Sequence, residues 1–173
     1  MAIATAAGTT INPSRIALGF VAGVLGTLIF HEMGVELCHL AGLTPNTPYN
    51  LTRVPPFGVP RVISLAFWGG AWAVVFVLAE RAIDLFPRAY WIAATAFGAF
   101  VPTVFSWLVI ASFRGQPLGY GFHLSRTLSG LIVNGLWGLG TAVFLTMLAG
   151  RRQAESAASL GRDATPVARQ PGV

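Results

Sequence analysis

The one run of residues with the types and spacing for chemistry is HEMGVELCH, residues 31 to 39. At 100° per residue Glu32, Glu36 and His39 fall within about 60° of one another on a single helix face, with His31 off to one side. Glu-x-x-His on a helix is half of the ligand pattern of di-iron carboxylate proteins, which also needs a second such motif and two further glutamates. They are missing: the remaining acids are Glu80, Asp84, Glu155 and Asp163. The metal site the spacing still allows is mononuclear, from Glu36, His39 and His123. Haem is disfavoured, since no second helix offers a histidine. Ser125 stands near His123, but no nucleophile and base have a diagnostic spacing, so no catalytic residue is assigned. The lone Cys38 lacks the second thiol of a disulfide, a redox pair or a thiolate metal site. No cofactor is expected.

These groups belong to a chain with little charge. Of 173 residues, 54% are hydrophobic and 10% charged, against roughly 25% charged in soluble domains. The mean hydropathy is +0.67. That excludes a soluble enzyme, a disordered regulator and a secreted disulfide scaffold. The composition predicts an all-α polytopic membrane protein. Its spans are expected at about 15–41, 61–83, 89–113 and 126–149, after a polar N-terminal segment over 1–14 and before a disordered tail over 150–173. A signal peptide is the rival reading of the first apolar stretch, but His31 and Glu32 follow it where a small-residue cleavage site would be needed. Residues 44–60 carry five prolines and are expected to form an extended loop. Pro102 is expected to kink the third helix.

All eleven basic residues are arginine. They lie singly or in pairs at the edges of the apolar runs, which suits headgroup anchoring and not a nucleic-acid surface. With four spans the termini share a side. Arg15, Arg81, Arg88, Arg151 and Arg152 outweigh Arg53, Arg61, Arg114 and Arg126, so the termini are expected in the cytoplasm. The Pro-rich loop and the 114–125 loop then share the outer face.

Helix association in lipid depends on close backbone approach. Gly19, Gly23 and Gly26 line one side of the first helix, Gly69 and Gly70 mark the second, and Gly98 lies on the third. Gly130, Asn134, Gly138 and Thr141 form a stripe on the fourth. Together they predict an antiparallel four-helix transmembrane bundle. The glycine face of the first helix lies about 140° from the Glu32 face, so the carboxylates are expected to meet a second neighbour, a polar cleft or another subunit. The polar patch is His31, Glu32 and Asn134, with Asn134 at a depth to reach the other two. An ionisable group inside a bilayer costs several kcal/mol unless paired. Arg61, Arg114 and Arg126 are the candidate partners.

The segments VPPFGVPRVISLAFWGGAW and GLIVNGLWGLGTA, with the spacing between them, resemble an uncharacterised family of short four-pass bacterial inner-membrane proteins. The resemblance implies four spans and a bacterial source over residues 15–149, and no activity. The chain is therefore expected to be an accessory or scaffold component of a membrane assembly. Its expected partners are the lipid bilayer and other membrane subunits or a second copy, with no nucleic acid. The alternative is a proton- or metal-responsive membrane protein that uses the Glu/His patch.

Overall fold

The computed structural model describes residues 13–80 and 87–163, with side chains over 13–80 and 89–153. Residues 1–12 of the expected polar segment over 1–14, the end of the second span at 81–83, Asp84 and the last residues of the tail lie outside the described residues. Helix α1 runs Pro13–Leu40, opening on a proline whose missing N–H is no loss in a first helical turn. Helix α2 is Arg61–Glu80. Helix α3 is built of Pro87–Phe105, Ser106–Ile110 and Ala111–Phe113 in continuous succession. Helix α4 is Leu124–Asp163. The chain is predominantly helical, and these four helices are long and apolar enough to cross a membrane.

Two of the helices are not regular throughout. Thr27–His31 in α1 and Ser106–Ile110 in α3 are π-helical turns, in which one residue is accommodated beyond the α-helical repeat. Pro102 stays inside α3 without ending it. At its far end α4 departs from expectation, since the backbone remains helical from Gly150 to Asp163 where a disordered tail was expected. The composition there is too polar for a core. Extending a helix already nucleated by the span needs only one hydrogen bond per residue, and Ala, Arg, Gln and Glu supply the propensity.

The Pro-rich segment is also more ordered than an extended loop. Strands β1 (Arg53–Val54) and β2 (Val59–Pro60) pair antiparallel, Arg53 opposite Pro60 and Val54 opposite Val59. The turn between them contains a cis Pro55–Pro56 bond and Gly58 at φ +64°. The hairpin is tied to the start of α2, where Arg61 N–H donates to the Thr52 carbonyl and Val62 N–H to that of Asn50, at 2.9 and 3.1 Å.

Helix α1 contacts α2 on one side and α4 on another, and α4 in turn carries α3. The close approaches occur where glycine removes the side chain. A methyl group on Gly23 would lie 2.5 Å from Cβ of Ala73, one on Gly19 2.7 Å from Val77, and one on Gly26 2.8 Å from the Thr141 hydroxyl. Phe20 occupies the space that Gly70 leaves, and Phe30 that of Gly140. On the other contact Gly98 and Gly138 face each other, so that a methyl on Gly98 would stand 2.8 Å from the Gly138 Cα. Gly130 does not share this closeness, because a methyl there would make an ordinary 3.5 Å contact with Thr103. The expected single stripe on α4 divides accordingly, with Asn134 and Gly138 turned toward α3 and Thr141 toward α1.

Small and medium residues form the interior: Ala22, Val77 and Leu145 make one cluster, and Phe76, Ala94 and Ala142 another. Trp137 is buried and donates its indole N–H to the Gly23 carbonyl at 3.1 Å. Large apolar side chains point outward all along the helices, among them Ile29, Ile63, Phe67, Trp68, Ile92, Phe100 and Leu108.

Candidate functional site

The π-helical turn is what positions the polar patch. It ends at His31, so Glu32 begins a regular helical turn with its side chain on the side where the chain returns after Leu40. Glu32 is 2% exposed. One carboxylate oxygen meets His31 Nδ1 at 3.0 Å, and the other accepts the backbone N–H of Tyr49 at 2.5 Å. Tyr49 is held at φ +51°, a left-handed conformation that non-glycine residues seldom adopt. That turn also aims its hydroxyl at α1, where it donates to the Leu28 carbonyl at 2.8 Å, inside the π-helical turn. Tyr49 thus binds α1 twice, once through its main chain and once through its side chain.

Further contacts secure the same segment. His39 Nδ1 lies 3.2 Å from the Thr44 carbonyl, and the Leu43 carbonyl accepts the Ser129 hydroxyl of α4 at 3.1 Å. Arg61 donates to the Asn46 side-chain oxygen at 3.1 Å. The buried carboxylate of Glu32 thus has a backbone N–H and a histidine as its partners, as a carboxylate in a low-dielectric surrounding requires.

The carboxylate face of α1 was expected to meet another helix, a cleft or another subunit. Instead Glu32 is covered by the chain's own loop, because the chain turns back after Leu40 and brings Tyr49 onto α1, while the hairpin that follows packs against α2. Asn134 does not join the patch. Its amide donates to the Thr103 hydroxyl at 2.8 Å, since its position on α4 faces α3 and not α1. Nor does the structure gather Glu36, His39 and His123. His123 is exposed at the start of α4, and Glu36 has no hydrogen bond or ion pair among the described residues. No group of three His, Cys, Asp or Glu that could hold a metal ion exists among the described residues. Ser125 offers its carbonyl to the Ser129 hydroxyl at 2.7 Å. Cys38 is buried and free.

Two features escaped the sequence. Tyr49 sits among prolines and polar residues with no periodicity to mark it, and its role depends on a left-handed backbone that tyrosine does not signal. The second is an ion pair on the opposite face. Arg15 donates through Nε and Nη2 to one oxygen of Glu80, at 2.7 and 2.5 Å. Arg15 is expected as a headgroup anchor, whereas its ion pair with Glu80 joins α1 to α2. Arg61, Arg114 and Arg126 make no salt bridge among the described residues. Arg126 instead lies 5.3 Å above the Tyr120 ring.

No family model, no curated protein and no solved structure matches this chain.

Proposed function

We propose that this chain is a multi-pass integral membrane protein, an antiparallel four-helix bundle of the bacterial inner membrane with both termini cytoplasmic, serving as an accessory or scaffold component of a membrane assembly. One observation carries the membrane reading: glycines and alanines line the helix contacts while many large Ile, Leu, Phe and Trp side chains face outward on helices long enough to span a bilayer. In water that outward face is a costly apolar surface; in lipid it is the solvated one. The accessory role is supported by how the ionisable patch is used. One oxygen of Glu32 holds the loop through the Tyr49 N–H and the other is occupied by His31 of the same helix, and Leu40, Leu51 and Phe57 are prominent on the outer surface beside them. Phe57, at 86% exposed on the hairpin turn, is a contact residue for another membrane subunit, a second copy or the lipid interface.

The test uses single cysteines in a Cys38→Ser background. Leu51→Cys and Arg152→Cys are expected to react with an impermeant maleimide from opposite sides of sealed vesicles, Arg152→Cys from the cytoplasmic side. Labelling of both from one side, or release of the protein by alkaline carbonate, overturns the membrane arrangement. Photo-crosslinking from Phe57 is expected to capture a membrane protein or a second copy; capture of lipid alone removes the scaffold role.

A second reading rests on the His31–Glu32 pair: a proton-responsive loop. Protonation of Glu32 turns a charged acceptor of the Tyr49 N–H into a weaker neutral one, so acid would loosen the segment that carries Tyr49. Protection of the Tyr49 amide from hydrogen exchange, corrected for the intrinsic rate, would then fall at low pH in the parent protein and be pH-independent in the Glu32→Gln variant. Equal protection across pH in both eliminates this reading.

A further inference from the structure

The end of the bundle that carries the hairpin presents large apolar side chains for which neither the fold nor the bilayer core accounts. An apolar core about 30 Å thick takes roughly 20 helical residues. Arg15 and Glu80 are paired at the opposite end, so a core counted from Arg15 ends near Val35 and one counted from Glu80 ends at Arg61. The hairpin therefore stands beyond the hydrocarbon. There Leu51 is 70% and Phe57 86% exposed, and Phe113, Leu118, Phe122 and Leu124 are exposed on the connection from α3 to α4. The Ser129 hydroxyl, donating to the Leu43 carbonyl, ties the segment that leads to the hairpin to the first turns of α4, into which that connection runs.

Charge at this end is one-sided. Arg53, Arg61, Arg114 and Arg126 all lie here, and none of them makes an ion pair among the described residues. Glu32 is buried beneath Tyr49, which leaves the partly exposed Glu36 as the accessible carboxylate among the described residues of this end. Arg53 gives one bond of 3.4 Å to the Gly58 carbonyl, and Arg61 one to Asn46. A guanidinium has five N–H donors, so both keep most of theirs for another acceptor.

The arginines and Phe57 are also held in place before anything binds. The hairpin is closed by its own strand pair, by the bonds from Arg61 and Val62 to Thr52 and Asn50, and by the Thr52 N–H donating to the Asn50 side chain at 2.8 Å. Headgroup anchoring asks only for a long flexible side chain. A preformed arrangement of aromatic and arginine side chains instead lowers the ordering cost of a specific contact, and these residue types dominate the energetics of protein interfaces.

We infer that this end of the bundle is a docking surface for an acidic segment of another protein, with Phe57 and Leu51 entering its apolar part and Arg53, Arg61 and Arg114 meeting its carboxylates. The inference rests on the membrane and accessory readings above and names the chemistry of the partner. A second copy presents the same arginines to its like, and two such faces repel.

The test is photo-crosslinking of the full chain in cells of the native host, with benzoylphenylalanine in place of Phe57 and the captured segment sequenced by mass spectrometry. That segment is expected to carry more Asp and Glu than Lys and Arg. Arg53→Glu and Arg114→Glu are each expected to lower capture about tenfold, the factor one charge-assisted hydrogen bond supplies. Arg53→Lys, which keeps the charge, is expected to lower it by a fewfold at most. Neither arginine bonds to a second helix, so the thermal unfolding midpoint in micelles is expected to stay unchanged in all three variants. Capture of a second copy, a captured segment without an acidic excess, or capture that survives both charge reversals overturns this inference and leaves the accessory role standing. Capture of lipid alone, or of nothing, overturns both.

Discussion

Glu32 shows how a carboxylate within an apolar helix can be structural and still essential. Both of its oxygens are engaged, and one of the donors is the main-chain N–H of Tyr49, which every substitution there except proline retains. Glu32→Ala leaves that N–H and His31 without their acceptor, and is expected to cost about 2 to 3 kcal/mol of stability, the range for a buried charge-assisted hydrogen bond. The measurement is unfolding of the purified protein in mixed micelles. Glu32→Gln keeps one acceptor and is expected to lose about half as much. Tyr49→Phe loses only the bond to Leu28 at a site 56% exposed, so an effect below about 1 kcal/mol is expected. A larger loss from Tyr49→Phe than from Glu32→Ala would mean that the side chain, not the carboxylate, holds the loop.

At the scale of elements, glycine position decides which helices touch. Gly23 faces Gly69 and Ala73 across the α1–α2 contact, and Gly69 in turn faces Thr27 and the Trp137 indole. Neither contact has room for a side chain, and what a methyl would strike at Gly23 is backbone as well as Ala73. Gly23→Ala is therefore expected to destabilise by about 1 to 3 kcal/mol through overpacking. Gly130→Ala, with an ordinary contact at Thr103, is expected to be neutral or to stabilise by about 0.5 to 1 kcal/mol through helix propensity. Thermal unfolding of the two variants side by side checks the pair. Equal effects would show that small-residue spacing by itself, and not the close approach, sets the packing. The π-helical turn in α1 belongs to this scale too. It lies between the glycine face below and the Glu32 face above, and its Leu28 carbonyl is bonded from outside the helix by Tyr49.

For the whole molecule, α1 and α4 are the elements through which the others are joined, since α1 carries α2 and α4 carries α3. Aromatic contacts then close α2 against α3, with Trp72 and Phe105 at 5.2 Å and Phe76 and Phe97 at 5.2 Å between ring centroids. The turn at Gly115 and Gln116 is exposed, and Gly115 has nothing within 4 Å. Two fragments divided there and made in the same cell are expected to co-purify, because α4 meets both α1 and α3 by close packing that does not depend on the connection. Gly138→Leu in the second fragment is expected to weaken this association, and unaltered recovery would place the holding contacts elsewhere.

The four apolar helices, their approximate limits and the importance of Gly19, Gly23, Gly69, Gly70 and Gly138 were legible in the sequence, because span length, hydropathy and small-residue spacing are local properties. The isolation of Glu32 and His31 as the notable polar pair was legible for the same reason. What covers that pair was not. A helical wheel gives the direction of a side chain relative to its own axis, but not the path of a loop that returns from Leu40 to place Tyr49 over Glu32. Nor does it divide one stripe on α4 between two neighbours, so Asn134 was expected at Glu32 and meets Thr103. The pairing of Arg15 with Glu80 likewise joins residues far apart in the chain. Each depends on where separate helices come to rest against one another, which is set by shape and hydrogen bonding across contacts that only the tertiary structure brings together.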